Sequence, residues 1–327
     1  MRLLVTGGAG YIGAVVARRL RDSGHHAVIV DDLSTGHRET VEGFDLTVGD
    51  FGDRRLMAEV VAARKIDGVV HLAASALVGE SVLNPARYYR NNLERSLALL
   101  DVVRERGVAR LVFSSSAAVY GEPVAIPIDE AHPTRPSNPY GETKLAFETA
   151  LRWYQAAHGL SFVALRYFNA AGATGDGELG EAHDPETHLV PNVLRAALTS
   201  EAVSVFGTDY ATPDGTAVRD YIHVEDLAEA HLRALERLET PGGGTVFNLG
   251  NGAGFSVMQV IEAARRVTGR PIPVRKAPRR AGDPETLVAS SDRARRDLGW
   301  SPRYHDLESI LETAWRFARA RPDGYGS

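Results

Sequence analysis

Tyr140 and Lys144 stand four residues apart in the segment Asn138-Pro-Tyr-Gly-Glu-Thr-Lys144. That spacing puts both side chains on one face of a helix, one above the other. Pro139 marks the helix entrance, where a missing N–H costs nothing. A phenol with a pKa near 10 is a poor base at neutral pH. A fixed ammonium beside it favours the phenolate and gives a group that accepts and returns a proton. The same two residues could also lie on a solvated helix face. The chemical reading draws weight from two other stretches of the chain.

The first is Gly8-x-Gly10-x-x-Gly13, widened by Gly7, which follows the apolar run Arg2-Leu-Leu-Val-Thr6 and opens a helical pattern. In that context glycines make a tight turn and let the backbone approach a pyrophosphate at the helix's positive end. Asp31 closes the next apolar run, His26-Ala-Val-Ile-Val30, where a carboxylate accepts from an adenosine ribose and repels a 2'-phosphate. NAD is therefore expected over NADP. The second stretch is Ser114-Ser-Ser116, which ends a later strand level with the expected nicotinamide. A hydroxyl there can bond a sugar hydroxyl or a forming ketone. Two of these serines could equally cap the next turn, and Ser116 is the one assigned to chemistry.

The elements that position these residues alternate. Strands expected at Asp45 to Val48, Gly68 to Leu72, Arg110 to Phe113 and Phe162 to Leu165 are separated by helices near Asp53 to Arg64, Pro85 to Arg106 and the Tyr140 segment. Such alternation predicts an α/β chain with a doubly wound parallel sheet covered on both faces, the Rossmann arrangement. Beyond Asn169 the character changes. Residues 170 to 188 have no periodicity and read as a loop. A helix near Pro191 to Leu198 and short strands around Ser204 to Phe206 and Val218 to Ile222 come next. A helix to about Leu238, a strand at Val246 to Leu249, and helices at Ser256 to Thr268, Ser291 to Leu298 and Leu307 to Ala320 complete the pattern. The expected division is an NAD-binding domain of 1–168 plus about 218–250, with a smaller interleaved C-terminal α+β substrate domain of about 169–217 and 251–327. A cleft then lies above the sheet's carboxyl edge.

At 327 residues, with 44% hydrophobic and 24% charged residues, the chain has an ordinary globular composition. Its net charge of −5, with signs interspersed, suggests no nucleic-acid surface. It has no cysteine, which removes disulfides, thiolate metal sites and cysteine nucleophiles. No metal is expected. No run reaches the length of a membrane span, and a strand at residues 2–6 leaves no signal peptide expected, so a cytoplasmic enzyme is the default.

Six motifs occur in order: Thr6-Gly-Gly-Ala-Gly-Tyr-Ile-Gly13, Ser114-Ser-Ser-Ala-Ala-Val-Tyr-Gly121, Tyr140-x-x-x-Lys144, Arg166-Tyr-Phe-Asn169, Arg219-Asp-Tyr-Ile-His-Val224 and Ala277-Pro-Arg-Arg280. With them the chain, over nearly its whole length, resembles the extended short-chain dehydrogenase/reductase superfamily and, within it, the UDP-glucose 4-epimerases. The segment from Phe206 to Tyr221 is the most specific to that group. The resemblance implies tightly held NAD lined by Gly7, Gly10, Tyr11, Ile12, Gly13, Asp31, Asp32, Asp50, Phe51, Leu72, Ala73, Ala74, Asn91, Ser114, Tyr140, Lys144, Tyr167 and Phe168. It implies a UDP-hexose held by Ser116, Asn169, His188, Leu189, Val205, Phe206, Arg219, Arg280, Asp283 and Leu287. Tyr140 would be the acid/base, Lys144 would hold the nicotinamide ribose and lower the Tyr pKa, and Ser116 would bond the sugar's 4-hydroxyl. Two guanidiniums suit a buried diphosphate. The reaction implied is redox-neutral inversion at C4, interconverting UDP-glucose and UDP-galactose through a 4-keto sugar. A homodimer through the Pro85–Arg106 and Tyr140–Ala157 helices is also implied.

Three positions depart from the family pattern. Ala76 stands where a Lys often lies near the cofactor phosphates, Ala118 where a Thr commonly touches the sugar, and Leu287 where side-chain size is associated with admitting N-acetylhexosamines. Another nucleotide sugar, N-acetylated, uronic or specialised, is the alternative substrate. A dehydratase of the same superfamily carries an Asp-Glu pair where this chain has Ala117 and Ala118, which cannot transfer a proton. A non-catalytic NAD(H)-binding protein usually lacks the Tyr or the Lys, and both are here.

Overall fold

The computed structural model describes residues 1–238, 243–280 and 284–326. Its first half is a run of strand–helix units: β1 (Arg2–Thr6), α1 (Tyr11–Asp22), β2 (His26–Asp31), β3 (Asp45–Val48), α2 (Arg54–Arg64) and β4 (Gly68–His71). Short helices α3 (Val78–Leu83) and α4 (Pro85–Tyr88) lead to α5 (Arg95–Glu105), β5 (Arg110–Ser116), α6 (Pro139–His158) and β6 (Ser161–Tyr167). The second half holds β7 (Asn169–Ala171), α7 (Leu189–Thr199), β8 (Val203–Phe206), β9 (Val218–His223), α8 (Val224–Arg237), β10 (Gly244–Leu249) and β11 (Gly254–Ser256). It ends with α9 (Val257–Thr268), β12 (Val274–Ala277), β13 (Thr286–Leu287), α10 (Asp292–Leu298) and α11 (Leu307–Ala320).

Seven parallel strands form the main sheet in the order β10-β6-β5-β4-β1-β2-β3. The order reverses between β1 and β4, the point at which a crevice opens at the carboxyl edge of such sheets. Central strands are apolar throughout because both faces are covered: β1 buries Leu3, Leu4 and Val5, and β5 buries Leu111, Val112 and Phe113. One face packs under α1 and α8 through Val16, Leu20, Leu227 and Leu235. The other packs under α2, α5 and α6 through Val61, Leu99, Phe147 and Leu151.

A second core, built from α7, α9 and α11 around Val193, Ile261, Leu311 and Trp315, lies beyond that edge. Two small sheets accompany it. One pairs β9 with β7, β11 and β13, and the other pairs β8 with β12. Strand β9 thus lies off the main sheet, while α8 and β10, which follow it, return to the main sheet. Among the described residues no helix is long and apolar enough to cross a membrane.

The helix expected over Pro85–Arg106 is interrupted by a π-helical turn at Tyr89–Glu94. Asn92, buried in that turn, accepts from the Ser75 N–H at 2.8 Å and donates to the Ser75 carbonyl at 2.9 Å. The bulge turns the asparagine toward the loop after β4, which a regular helix would not do. Strand β7 also lies within a stretch that sequence pattern alone marks as loop. It is three residues long and is held by β9.

Candidate functional site

Tyr140 occupies the first turn of α6, whose entrance is Pro139 capped by Asn138; the Asn138 Oδ1 accepts from the Gly141 N–H at 2.9 Å. The helix rests on β5 and β6 by its apolar face, so Tyr140, Lys144 and Glu148, spaced by four, line one ridge against the sheet. Lys144, only 4% exposed, donates to the Ser114 carbonyl at 2.8 Å, and its Nζ lies 4.9 Å from the Phe113 ring centroid. It stands 5.8 Å from the Tyr140 ring centroid. Ser116 lies close enough to Tyr140 to favour its phenolate. The Ser116 Oγ also accepts from the Ala118 N–H at 3.1 Å.

Burial pushes the Tyr140 phenol up, and Ser116 only partly offsets it. Burial also pulls Lys144 down to about 7, against the nearby Glu148 carboxylate, which raises it. A lysine this dry holds its proton more weakly than one in water.

Glu148 is the residue sequence reasoning missed. It is fully buried, accepts from the Ser115 hydroxyl at 2.5 Å, and pairs with Arg166 through bonds of 2.9 and 2.5 Å. Arg166 continues to the Tyr120 hydroxyl at 2.9 Å, which donates to the Asn248 Oδ1 at 2.6 Å. The pair therefore fastens α6 to β5, β6 and β10 directly beneath Tyr140 and Lys144. The only sequence signal for it was a third polar residue at the same helical spacing. Asn92 was likewise missed, since a π turn leaves no trace in hydrophobic periodicity.

The cofactor residues gather at the switch point. Gly7 has φ of +71°, and a Cβ there would lie 2.6 Å from the Ala73 amide nitrogen. A Cβ on Gly13 would strike the Gly7 carbonyl at 2.1 Å. Gly10 is different: the nearest protein atom to a Cβ there, the Gly7 carbonyl oxygen, is 3.5 Å away, an ordinary van der Waals contact. Gly10 also caps α1 without any side-chain bond, leaving the first-turn N–H groups from Tyr11 and Ile12 onward for an anion. This cradle fits a pyrophosphate.

At the end of β2, Asp31 is nearly buried; burial raises its pKa, while the Leu33 and Ala9 N–H groups, each 2.9 Å away, lower it. Each carboxylate oxygen thereby keeps a lone pair for a ribose hydroxyl. Asp32 binds Ser34, and Asp50 binds the Gly52 N–H at 2.8 Å and Arg95 at 3.1 Å. Leu72 and Ala73 donate to the Thr6 carbonyl, and Ala74 follows in the same half-buried loop. Asn91 donates to the Ser75 hydroxyl at 3.1 Å, and Ala76 is exposed beside it. Phe51 packs 5.2 Å from His71, and the Tyr167 hydroxyl donates to the Ser114 Oγ at 2.7 Å.

The residues expected to hold the nucleotide sugar are more dispersed. Phe168 and Leu287 share an apolar cluster with Ala117, Val119, Tyr120 and Ile128, beside Ser116. Asn169 is exposed on β7 opposite Tyr221 of β9, while Arg219 of β9 is in register with Leu287. Arg219 donates to the Val218 and Pro284 carbonyls at 2.7 Å each. Val205 is buried in β8, and the Arg280 guanidinium stacks 4.1 Å from the centroid of Phe206. Leu189 opens α7, and His188 before it turns its ring onto Glu181 and Glu186. Asp283 lies outside the described residues.

A family model described as the NAD dependent epimerase/dehydratase family matches residues 3–250. A UDP-glucose 4-epimerase of Halalkalibacterium halodurans is 51% identical, covering 100% of this chain and 98% of its own. A Brucella ovis UDP-glucose 4-epimerase solved in complex with NAD is 48% identical with a TM-score of 0.94, covering 97% of this chain and 98% of that one. A Bifidobacterium longum UDP-glucose 4-epimerase solved with NAD+ and UDP is 38% identical with a TM-score of 0.96, covering 99% and 100%. With the glycine turn, the strand-end serines and the Tyr140–Lys144 ridge brought to one sheet edge, this chain belongs to the NAD dependent epimerase/dehydratase family.

Proposed function

We propose that this chain is an NAD-dependent isomerase that inverts C4 of a UDP-hexose, with UDP-glucose and UDP-galactose as the exchanging pair. Full-length relatives named for that reaction support the activity, and the buried Lys144, anchored on the Ser114 carbonyl beside the Tyr140 ring, is the observation that carries the chemistry. In this reading Tyr140 takes the proton of the sugar's 4-hydroxyl, and Ser116 holds that hydroxyl in line with the phenol. When bound, NAD supplies the hydride acceptor and a positively charged ring whose field favours the phenolate. Lys144, anchored on the Ser114 carbonyl, holds the hydroxyls of the nicotinamide ribose and adds its own charge when protonated. Tyr140 returns the proton as the hydride goes back to the other face of C4 of the turned 4-keto sugar, so no net oxidation occurs.

Turning over requires the nucleotide to stay fixed while the hexose moves. Arg219 and Arg280 are assigned to the diphosphate, with Asn169, His188, Leu189, Val205, Phe206 and Asp283 around the nucleotide and Leu287 beside the sugar. The division assigned above, an NAD-binding part of 1–168 plus about 218–250 and a substrate part from the remainder, belongs to the same proposal. So does a cytoplasmic location.

A homodimer completes the reading. Trp153 of α6 is 71% exposed, and Tyr89, Leu93 and Leu97 line a shallow groove together with Arg54, Arg90, Glu94 and Asp101. Exposed apolar side chains on α6 and on the helix before β5 suit a four-helix contact between copies. The functional reading is tested by incubating the purified chain with UDP-galactose and identifying the product by NMR. UDP-glucose formed without added nicotinamide nucleotide supports it, and unchanged substrate with NAD present contradicts it.

A further inference from the structure

Four side chains unconnected with the hydride chemistry converge in the segment between β7 and α7. The ligand atoms of Glu181, His183, Glu186 and His188 all lie within 4.8 Å of one another. Both imidazoles present Nδ1. His183 Nδ1 is 3.1 Å from Glu181 and 3.8 Å from Glu186, and His188 Nδ1 is 2.5 Å from Glu181 and 3.4 Å from Glu186. The glutamates are 7% and 8% exposed, while both histidines remain open to solvent on one side. The arrangement has two nearly buried carboxylates as a floor and two imidazoles as a rim.

Four donors bound at about 2.0–2.1 Å around one tetrahedral centre stand ~3.4 Å apart. Three of the four measured imidazole–carboxylate separations are within half an ångström of that, and the fourth must open by about 1 Å. Two imidazole nitrogens and two carboxylates suit zinc-type ions, whereas Ca2+ takes six to eight oxygens and Mg2+ an octahedron of oxygens and waters. We propose that Glu181, His183, Glu186 and His188 form a four-ligand site for a zinc-class divalent ion.

The site sits where it can stiffen three parts of the molecule. The Ala182 carbonyl is 2.9 Å from the His37 Nε2, which ties the loop to the segment after β2. The Gly180 N–H donates to the Tyr325 hydroxyl at 2.9 Å, near the carboxyl terminus. The carbonyls of Glu186 and His188 accept from the Asn192 side chain at 3.3 and 2.8 Å, at the start of α7. An ion held here fixes the loop against both the cofactor half and the helix that opens on Leu189. Its role is structural, and it takes no part in the proton or hydride transfer.

The test uses the full, tag-free chain with its NAD, stripped of metal by a chelator and titrated with Co2+ and then Zn2+. The expected result is one Co2+ per chain with an intense tetrahedral visible spectrum, displaced by one Zn2+ that survives gel filtration and raises the Tm. His183→Gln and Glu181→Gln should each weaken binding more than roughly 100-fold, beyond the 10–100-fold typical of changes behind the ligands. His188→Asn, at the most exposed of the four, replaces either variant that fails to retain NAD. No retained ion in the wild-type chain, a weak octahedral spectrum, or equal retention by the variants overturns the site.

Discussion

At the residue scale, the proposed catalysis rests on Tyr140 and the proposed cofactor retention on the turn at Gly10. Tyr140→Phe removes the group assigned to move the 4-hydroxyl proton, so turnover should fall by roughly 10²- to 10⁴-fold while copurified NAD is kept. Absorbance of the bound nucleotide and a coupled epimerase assay check both halves, and near-normal turnover would unseat the assigned base. Gly10→Ala meets no protein atom closer than 3.5 Å, so the folded chain should persist while the added methyl enters the pyrophosphate cradle. Its expected outcome is loss of NAD from the purified protein with little change in the Tm of the NAD-free form. Retention of NAD would mean that the phosphates lie elsewhere. The Tyr140–Lys144 spacing and the glycine turn were legible because each is a local pattern whose meaning survives folding. The burial that raises the Tyr140 pKa was not legible, since desolvation depends on which elements close over the residue.

At the element scale, α6 is held by the buried Glu148–Arg166 pair beneath its catalytic turn. Removing one member of such a pair leaves a buried charge uncompensated, so Glu148→Gln should destabilise the fold by about 3–5 kcal/mol, read from denaturant unfolding. It also deletes the anion that raises Lys144. Losing an anion lowers an ammonium pKa, so less Lys144 is protonated at neutral pH. The alkaline limb of the kcat profile should therefore move to lower pH in the variant. A stable protein with an unmoved limb would contradict both functions of Glu148. Sequence pattern hinted at this pair only through the spacing of Glu148 from Lys144, because a glutamate on a helix is usually solvated and its partner lies on a strand 18 residues on. The exchange of β9 into a small sheet was hidden for a related reason: an apolar run announces a strand and leaves its neighbours unspecified. The π turn at Tyr89–Glu94 was likewise invisible, since it adds one residue to a helix without changing its composition.

At the scale of the whole molecule, the doubly wound sheet could be foreseen from strand–helix alternation, because a parallel crossover is usually made by a helix between its strands. The layout of the second half could not, since its strands are short and pair across large sequence distances, as β8 does with β12 and β9 with β13. The proposed dimer is argued at this scale as well. Trp153→Glu replaces the exposed indole of α6 with a charge and should shift the chain from dimer to monomer in light scattering after gel filtration. A wild-type chain that is already monomeric at micromolar concentration would remove that contact from the account.

The central claim is that the hydrogen taken from C4 returns to the same carbon from a nucleotide that never leaves. Incubating the enzyme with UDP-galactose deuterated at C4, in the presence of excess unlabelled free NAD, tests this directly. The account predicts UDP-glucose with the deuterium still at C4. Deuterium lost to water or recovered in the free nucleotide pool would contradict it.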